Sequence, residues 1–407
     1  SKWWASRDFE KVSLEIPLGS GAYKVDSFDV GRSISYRRVP DWWAKDLWMN
    51  RGRNNFDVLR YEYYRDVTVQ FEAFKAGDLD VRQENIARNW ATAYDIPAVR
   101  DGRIQRAEIP HELPTGMQCF AFNTRRDFFK DKRVREAIAT MFDFAWANKN
   151  LFYGMYKRNV SFFGNSELAS SGLPTAAELK YLEPLRGKIP EEIFTKEFKL
   201  PESDGTGNVR DLARRALALL KEAGWEIKDG KMTDTKSGRK LAFEMLLNDS
   251  SFERVVLPYK QNLMTVRTVD TAQFKRREDE FDYDMMVEGF GQSLSPGNEQ
   301  RDFWGSKAAD TPGSRNSLGI KDAAIDSLID TLIAAPDRES LIAVTRALDR
   351  VLLWSNFVVP NWHNNKVFVA YWNRFARPEK SARYAPFAFD TWWIDEAKDR
   401  ALQRERK

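Results

Sequence analysis

Hydrophobic and polar positions alternate in short segments near the start of the chain. Residues 19–25 (Gly-Ser-Gly-Ala-Tyr-Lys-Val) are typical of a glycine turn that enters a strand, and residues 33–39 alternate like its hairpin partner. Residues 56–61 predict a third strand. Apolar residues then recur at helical spacing from position 67 to 74, and Gly77 is placed to end that helix. This part of the chain is therefore predicted to mix α and β structure.

Helical periodicity is strongest in the middle of the chain. Residues 132–152 predict one long helix, because their apolar positions fall on one face and Asp131 is a good N-cap. Residues 209–223 predict another helix, ending at Gly224, and residues 252–266 predict a third.

Turn chemistry marks the boundaries between the later elements. Asp229-Gly230 favours a tight β-hairpin, and residues 241–247 and 281–287 predict strands. Residues 289–319 are rich in Gly, Ser and Pro and predict a long loop. Loops of that length inside a domain are usually functional.

The end of the chain returns to regular structure. Helices are predicted at 323–334 and 338–353, and strands at 358–362 and 367–372. At 407 residues the chain exceeds the size at which one hydrophobic core usually stops growing. We therefore expect two lobes.

Charge and cysteine content narrow the class of protein. The 64 basic and 60 acidic residues give a net charge of +4 and are mixed along the chain, whereas a nucleic-acid binder usually gathers its basic residues. The single cysteine, Cys119, excludes an intramolecular disulfide, and its apolar neighbours predict burial. No stretch is apolar enough to predict a membrane span.

Residues able to carry catalysis are scarce. His111 and His363 are the only histidines, and neither zinc-ligand spacing, Gly-x-Ser-x-Gly nor a Walker loop is present. Carboxylate pairs such as Asp282 and Asp284 are explained by surface solvation. The sequence therefore favours a protein that is not an enzyme and has no metal or cofactor.

Several ordered motifs together resemble the large extracytoplasmic solute-binding proteins of family 5, which serve peptide and nickel importers. The motifs lie at residues 19–25, at 74–80, at 122–124 with 131–138, and at 322–329 with 348–349 and 359–360. The likeness is closer to the Yej-type peptide-binding subgroup, through residues 289–300, 314–322, 346–353, 370–375 and 391–393. The resemblance covers nearly the whole chain.

This resemblance implies an α/β, two-lobed periplasmic binding protein of type II, cluster C. Lobe one would comprise residues 1–124, lobe two residues 125–378, and residues 379–407 would return to lobe one. Such proteins close their lobes on a ligand and deliver it to an inner-membrane ABC permease. We expect a periplasmic monomer that binds oligopeptides or peptide-like compounds.

The family's glycine-rich signature normally follows a substantial N-terminal segment that begins lobe one. Here that signature starts at residue 19. The chain is therefore interpreted either as a C-terminal fragment or as an unusually short member, and we favour the fragment. Lobe one would then be incomplete at its N-terminus, expose strand edges and associate with the missing segment, and the leader would be absent from this chain.

The predicted ligand site departs from the family pattern. Oligopeptide binders of this family carry a Gly-Trp-x-x-Asp-like stretch whose aspartate pairs with the peptide's α-amine. At that position this sequence has Gly289 to Ser293 and offers Gln292 or Ser293 instead of a carboxylate. A buried ammonium group without a counter-ion is costly. We therefore hypothesise a ligand whose N-terminus is blocked, formylated or otherwise uncharged, or a peptide-like antibiotic.

The candidate ligand-binding residues lie in the long loop and near the predicted crossings between lobes. They are Phe290, Gly291, Gln292, Ser293, Asn298, Trp304, Arg315, Asn316, Asn123 and Trp362. The aromatic members are also typical of core positions, Arg315 is compatible with a structural salt bridge, and the glycines with a simple β-turn. Two other interpretations remain open. The same scaffold could bind an opine, an oligosaccharide or a metal chelate, or the protein could be a hydrolase of glycosides or peptides.

Overall fold

The computed structural model describes residues 3–8, 13–260, 263–380, 382–385 and 387–405. Its strands are β1 (Tyr23–Asp29), β2 (Ser33–Arg38), β3 (Val58–Glu62), β4 (Val81–Gln83), β5 (Ile104–Pro110), β6 (Met117–Phe122), β7 (Lys157–Arg158), β8 (Trp225–Lys228), β9 (Lys231–Asp234), β10 (Phe243–Leu247), β11 (Met264–Thr268), β12 (Met285–Phe290), β13 (Val358–Pro360), β14 (Trp362–His363), β15 (Lys366–Trp372), β16 (Phe375–Ala376) and β17 (Trp393–Ile394). Its α-helices are α1 (Val67–Ala76), α2 (Pro97–Arg100), α3 (Lys132–Thr140), α4 (Phe144–Asn150), α5 (Ala176–Leu182), α6 (Glu192–Thr195), α7 (Arg210–Glu222), α8 (Glu253–Tyr259), α9 (Thr271–Asp279), α10 (Glu299–Trp304), α11 (Ala323–Ile333), α12 (Arg338–Trp354) and α13 (Glu396–Glu405).

The chain divides into two compact units. The smaller unit comprises residues 1–111 and 366–407, and the larger unit comprises residues 112–365. The chain passes between the units after residues 111 and 365. Both points come earlier in the chain than the boundaries predicted at 124 and 378. The cause is strand pairing, because β6 joins a sheet of the larger unit while β15 joins β4 and β5 of the smaller one.

The smaller unit contains two three-stranded sheets. Strands β1, β2 and β3 form an antiparallel meander, and β15 lies between β4 and β5 and pairs antiparallel with both. Aromatic rings fill the space around them; for example, Trp90 stacks on Phe368 with ring centroids 4.9 Å apart. Large apolar side chains also lie exposed on this unit, including Trp43 (74% exposed) and Trp48 (79% exposed).

The larger unit is built on a five-stranded sheet in the order β11-β10-β12-β6-β13. Strand β10 pairs parallel with β11 and β12, whereas β6 pairs antiparallel with β12 and β13. Helices α11 and α12 contribute buried apolar residues to the core against this sheet. A sheet bearing helices that cover its apolar face is the arrangement expected for an α/β unit.

Local signals predicted several element ends correctly. Gly77 adopts a left-handed conformation with φ of 88° and caps α1. Asp229 and Gly230 have φ of 49° and 73° and form the turn between β8 and β9. Positive φ at both central residues is the requirement of the predicted hairpin turn.

Three longer predictions need correction. The helix predicted over 132–152 is two helices, because Asp143 accepts a hydrogen bond from the Trp146 backbone N–H and starts α4. The helix predicted over 252–266 is only α8 among the described residues; positions 261–262 lie outside them, and 264–268 form β11 beside β10. The strand predicted over 281–287 is β12, which begins later and includes Gly289 and Phe290 because they pair with β6.

Candidate functional site

The glycine-rich segment begins at the end of β12. Gly289 and Phe290 still pair with β6, opposite Gln118 and Met117, so this part is strand end rather than a simple β-turn. A Cβ atom added at Gly289 or Gly291 would meet no heavy atom within 4 Å, and both glycines are exposed. The main chain here is therefore open to close approach by another backbone.

One edge of β12 is unpaired at the same place. Its register with β10 ends at Met286, whereas its register with β6 continues to Phe290. Within the described residues, positions 287–290 thus belong to a strand paired on one side only. An extended peptide can add to such an edge through main-chain hydrogen bonds.

Gly116, just before β6, lies close to the end of β12. Gly116 has φ of +64°, and a Cβ atom there would lie 2.3 Å from the carbonyl oxygen of Phe290. Any larger residue would push the two strands apart. Gly116 was not among the predicted residues, and only the pairing of β6 with β12 reveals its role.

Two amide side chains and a carboxylate form a network under the loop. Gln300 is fully buried, and its Nε2 donates to Gln292 Oε1 at 2.8 Å and to Glu299 Oε1 at 3.0 Å. The Glu299 oxygen also accepts from the Gly297 backbone N–H at 2.8 Å. Gln292 Nε2 and Gln300 Oε1 are buried without a hydrogen-bond partner in the described part of the chain.

The orientation of these amides follows from the carboxylate. A carboxylate only accepts hydrogen bonds, so Gln300 must present its NH2 group to Glu299, and Gln292 must in turn present its oxygen. One unpaired donor and one unpaired acceptor remain. The sequence prediction missed Glu299 and Gln300 because their contact with Gln292 spans a loop and has no local spacing signal.

A further carboxylate lies just before the glycines. Glu288 accepts a hydrogen bond from the Gly289 backbone N–H at 2.7 Å. Burial raises the pKa of the Glu288 carboxyl, an effect opposed by that hydrogen bond and by the charge of Arg315. This residue was also not predicted, since sequence alone gives no sign of its burial.

Three other predicted residues are exposed on this segment or near it. Ser293 Oγ accepts from the Ser295 backbone N–H at 3.1 Å, and Asn298 Oδ1 accepts from Arg301 at 2.9 Å. The Arg315 guanidinium lies 4.2 Å from the centre of the Phe303 ring. This is a cation–π contact rather than the salt bridge considered from the sequence.

The remaining predicted residues are buried. Phe290 and Trp304 belong to the core of the larger unit, and Trp362 packs against Phe152 with ring centroids 4.4 Å apart. Phe290 and Trp304 lie close together in that core, with ring centroids 5.9 Å apart, whereas Trp362 packs in a separate group of aromatic rings.

The two predicted asparagines are buried and engaged with backbone groups. Asn316 donates to the carbonyls of Gly305 and Ile320 and accepts from the Ile320 N–H. Asn123 donates to the carbonyls of Phe281 and Tyr283 and accepts from Arg125. Both side chains therefore hold loops together, and direct contact with a ligand remains a prediction for the exposed members of the set.

Groups suited to catalysis are not brought together in the described residues. No cluster of three or more His, Cys, Asp or Glu side chains there could hold a metal ion. Cys119 is buried, and burial raises the pKa of its thiol well above the ordinary value. Among the described residues, no helix is long and apolar enough to cross a membrane.

Comparison with known proteins identifies relatives of this chain. The profile of "Bacterial extracellular solute-binding proteins, family 5 Middle" matches residues 2–312. The chain is 42% identical over 410 residues to the "Probable peptide-binding protein YejA" of Agrobacterium fabrum, covering 97% of this chain and 67% of the relative. It is 37% identical over 399 residues to the "Peptidoglycan-binding protein YepA" of the same organism, covering 95% and 65%. The chain thus spans about two thirds of these relatives.

A solved structure shows the same fold. The oligopeptide-binding protein AppA of Bacillus subtilis, in complex with a nonapeptide, matches with a TM-score of 0.68 and 19% identity, covering 93% of this chain and 67% of AppA. The predicted two-lobed α/β binding-protein fold is confirmed. The family is one of solute-binding proteins rather than enzymes. The chain belongs to family 5 of the bacterial extracellular solute-binding proteins.

Proposed function

We propose that this chain is the solute-binding component of an ABC importer and captures oligopeptides or peptide-like compounds. The observation that carries the proposal is the open end of β12, where an unpaired strand edge meets two exposed glycines. Main-chain bonding at such an edge does not depend on the ligand's side chains. The resemblance to a relative named as peptide-binding supports the same ligand class.

The preferred ligand has an uncharged N-terminus. By the family resemblance Ser293 takes the position of the aspartate of oligopeptide binders, and the Glu299 carboxylate already accepts two hydrogen bonds. The unpaired donor of Gln292 and acceptor of Gln300 are complementary to an acylated amide, which has one C=O and one N–H. The Gln292–Gln300 pair itself offers an ammonium group no counter-ion.

A fragment of peptidoglycan is a second candidate ligand. The relative YepA carries the name of a peptidoglycan-binding protein and is 37% identical to this chain. A peptide whose amine is acylated by a sugar acid has the uncharged N-terminus that the Gln292–Gln300 pair would favour. The two candidates therefore share the same chemistry at this end of the ligand.

The remaining parts of the proposal follow from the family. The protein acts in the periplasm as a monomer, passes its ligand to an inner-membrane permease, and carries out no chemistry on it. No group suited to catalysis is needed for this role, because capture and release depend on binding energy alone.

Calorimetry with matched ligands tests the proposal. A short N-formyl peptide and its free-amine twin are titrated into the purified protein, and native mass spectrometry identifies the ligands retained after gentle purification. We expect tighter binding of the formyl peptide and a retained mixture of peptides or peptidoglycan fragments. Equal or weaker binding of the formyl peptide refutes the blocked N-terminus, whereas a single non-peptide ligand or a cleaved product refutes peptide capture itself.

A further inference from the structure

Arg158 is a buried cation with incomplete hydrogen bonding. The residue is 9% exposed, and its Nη1 donates to the carbonyl oxygen of Pro201 at 3.1 Å. Its Nε and Nη2 are buried and have no hydrogen-bond partner in the described part of the chain. An unpaired buried charge is costly to a fold. Such a group indicates a place for an anion.

The same residue lines a cavity of about 660 Å³ in the larger unit. Helix α4 contributes Lys149, a second cation, together with the apolar wall of Phe144 and Ala145. Glu202, which is exposed, also lines the cavity. A cavity of this volume, with one apolar wall and a few convergent charges, is typical of a small-molecule site.

The free edge of the guanidinium specifies the shape of the anion. Nε–H and Nη2–H point from the same edge and form a fork that matches the two oxygens of a carboxylate. Arg37 uses this pair on Asp26, at 2.9 and 2.8 Å. Arg133 uses it on Asp131, at 3.1 and 2.7 Å. On Arg158 the same pair is unoccupied.

Two carboxylates of this chain, Glu202 and Asp143, could have neutralised Arg158, yet neither forms an ion pair with it in the described residues. Burial, the largest effect, lowers the pKa of the guanidinium to about 10, while Glu202, Tyr259 and Asp143 raise it only through space. Asp143 Oδ1 caps α4 and accepts from Ser203, and its Oδ2 is buried without a partner. Arg158 therefore remains charged at neutral pH and lacks a direct counter-ion.

We propose that this cavity binds a small organic molecule through its carboxylate, held by Nε and Nη2 of Arg158 and attracted by Lys149. The organic part lies against Phe144 and Ala145. Both nitrogens are buried, so binding of the carboxylate requires the side chains around them to move apart. The cavity has no lining residue among residues 289–300. A test of this site is therefore independent of the test of the proposed peptide site.

Calorimetry with butyrate and its uncharged analogue butyramide, at constant ionic strength, tests this site on the purified chain. We expect butyrate to bind at a single site and butyramide to bind at least about tenfold more weakly, because charged hydrogen bonds contribute more than neutral ones. Arg158→Met should weaken butyrate binding at least about tenfold, and Lys149→Gln should weaken it less. Arg214→Met removes an exposed arginine elsewhere on the larger unit and should leave binding unchanged.

Thermal unfolding of each variant checks that the fold is intact. If Arg158→Met does not fold, Arg158→Lys keeps the charge but loses the fork, and is expected to weaken butyrate binding as well. Undetectable butyrate binding, equal binding of butyrate and butyramide, or wild-type affinity in a folded Arg158 variant would each overturn the proposal.

Discussion

Arg350 and Glu178 form an ion pair inside the larger unit, with Nε of the arginine 2.6 Å from Oε2 of the glutamate. Both side chains are only 2% exposed. The other guanidinium nitrogens donate to the carbonyls of Ser171, Gly172 and Leu173. Helix α12 thus fixes helix α5 and the loop before it through one fully satisfied cation.

Arg350→Met should destabilise the protein because it leaves the Glu178 carboxylate buried and the loop carbonyls unpaired. We expect the free energy of unfolding to fall by about 3–5 kcal/mol, measured by urea denaturation. The exposed pair of Arg214 with Asp211 gives a matched control, and Arg214→Met should change stability by less than about 1 kcal/mol. Equal effects of the two substitutions would contradict the structural role of the buried pair.

The neighbouring Asp349 should make stability depend on pH. Burial raises the pKa of this carboxyl above its ordinary 3.8, although hydrogen bonds from Ser170, Ser161 and Phe162 oppose the shift. An acid with a raised pKa in the folded state binds protons more tightly when folded. Its stabilising contribution is therefore present below pH 3.8 and is lost as the pH rises through the raised value.

Asp349→Asn removes this titration and serves as the reference. As the pH rises through the raised pKa, the free energy of unfolding of the wild type should fall relative to that of the variant, by about 1.4 kcal/mol for each unit by which the pKa is raised. Urea denaturation of both proteins from pH 3.5 to 7 measures the difference, and the exposed Asp211→Asn controls for general charge effects. A wild type that gains stability relative to Asp349→Asn as the pH rises would show that the folded state prefers the ionised form.

Ser293→Asp should change the preferred ligand, if the proposed peptide site is right. The new carboxylate would pair with a free α-amine, and a charged hydrogen bond contributes about 1.5–3 kcal/mol. Affinity for the free-amine peptide should rise about tenfold or more relative to its N-formyl twin, as measured by calorimetry. Ser295→Asp adds the same charge two residues away and should produce a smaller change. Identical ligand preference in both variants would argue against a terminus-reading role for position 293.

Gly116→Ala tests the close approach of β6 to β12. The added methyl group would lie 2.3 Å from the Phe290 carbonyl oxygen, and the residue would also keep an unfavourable φ of +64°. Gly187→Ala is the matched control, because Gly187 has φ of +81° but open space around the Cβ position. The free energy of unfolding of each variant should fall by about 1–2 kcal/mol because alanine is strained in the left-handed backbone conformation. In Gly116→Ala it should fall by a further ~1–3 kcal/mol because of the clash. Equal losses in urea denaturation would show that the strands can separate freely.

Local chemistry explains which elements were predictable. Gly77 and the Asp229-Gly230 turn are correct because a positive φ is demanded within a few residues of sequence. The helix predicted over 132–152 was too long, because its apolar periodicity continues past Asp143 while that side chain caps a new helix. Residues 264–268 became a strand because they pair with β10, a contact that helical spacing does not reveal.

The candidate site was predictable only in outline. The motifs drew attention to residues 289–293 and their lack of a carboxylate, since those properties are carried by consecutive residues. They did not distinguish exposed Gly291, Ser293 and Arg315 from buried Phe290 and Trp304, because loop residues carry no periodic burial pattern.

The sequence by itself determined the family, the mixed α/β class, and the absence of a consecutive catalytic or metal motif. Tertiary structure alone decided where the chain crosses between its units, which side chains are exposed, and which distant groups meet. Arg350 and Glu178 are 172 positions apart, and Gln292 reaches Gln300 across a loop. The physical reason is that turns and caps depend on neighbouring residues, whereas the burial and pairing of charges depend on packing between distant segments.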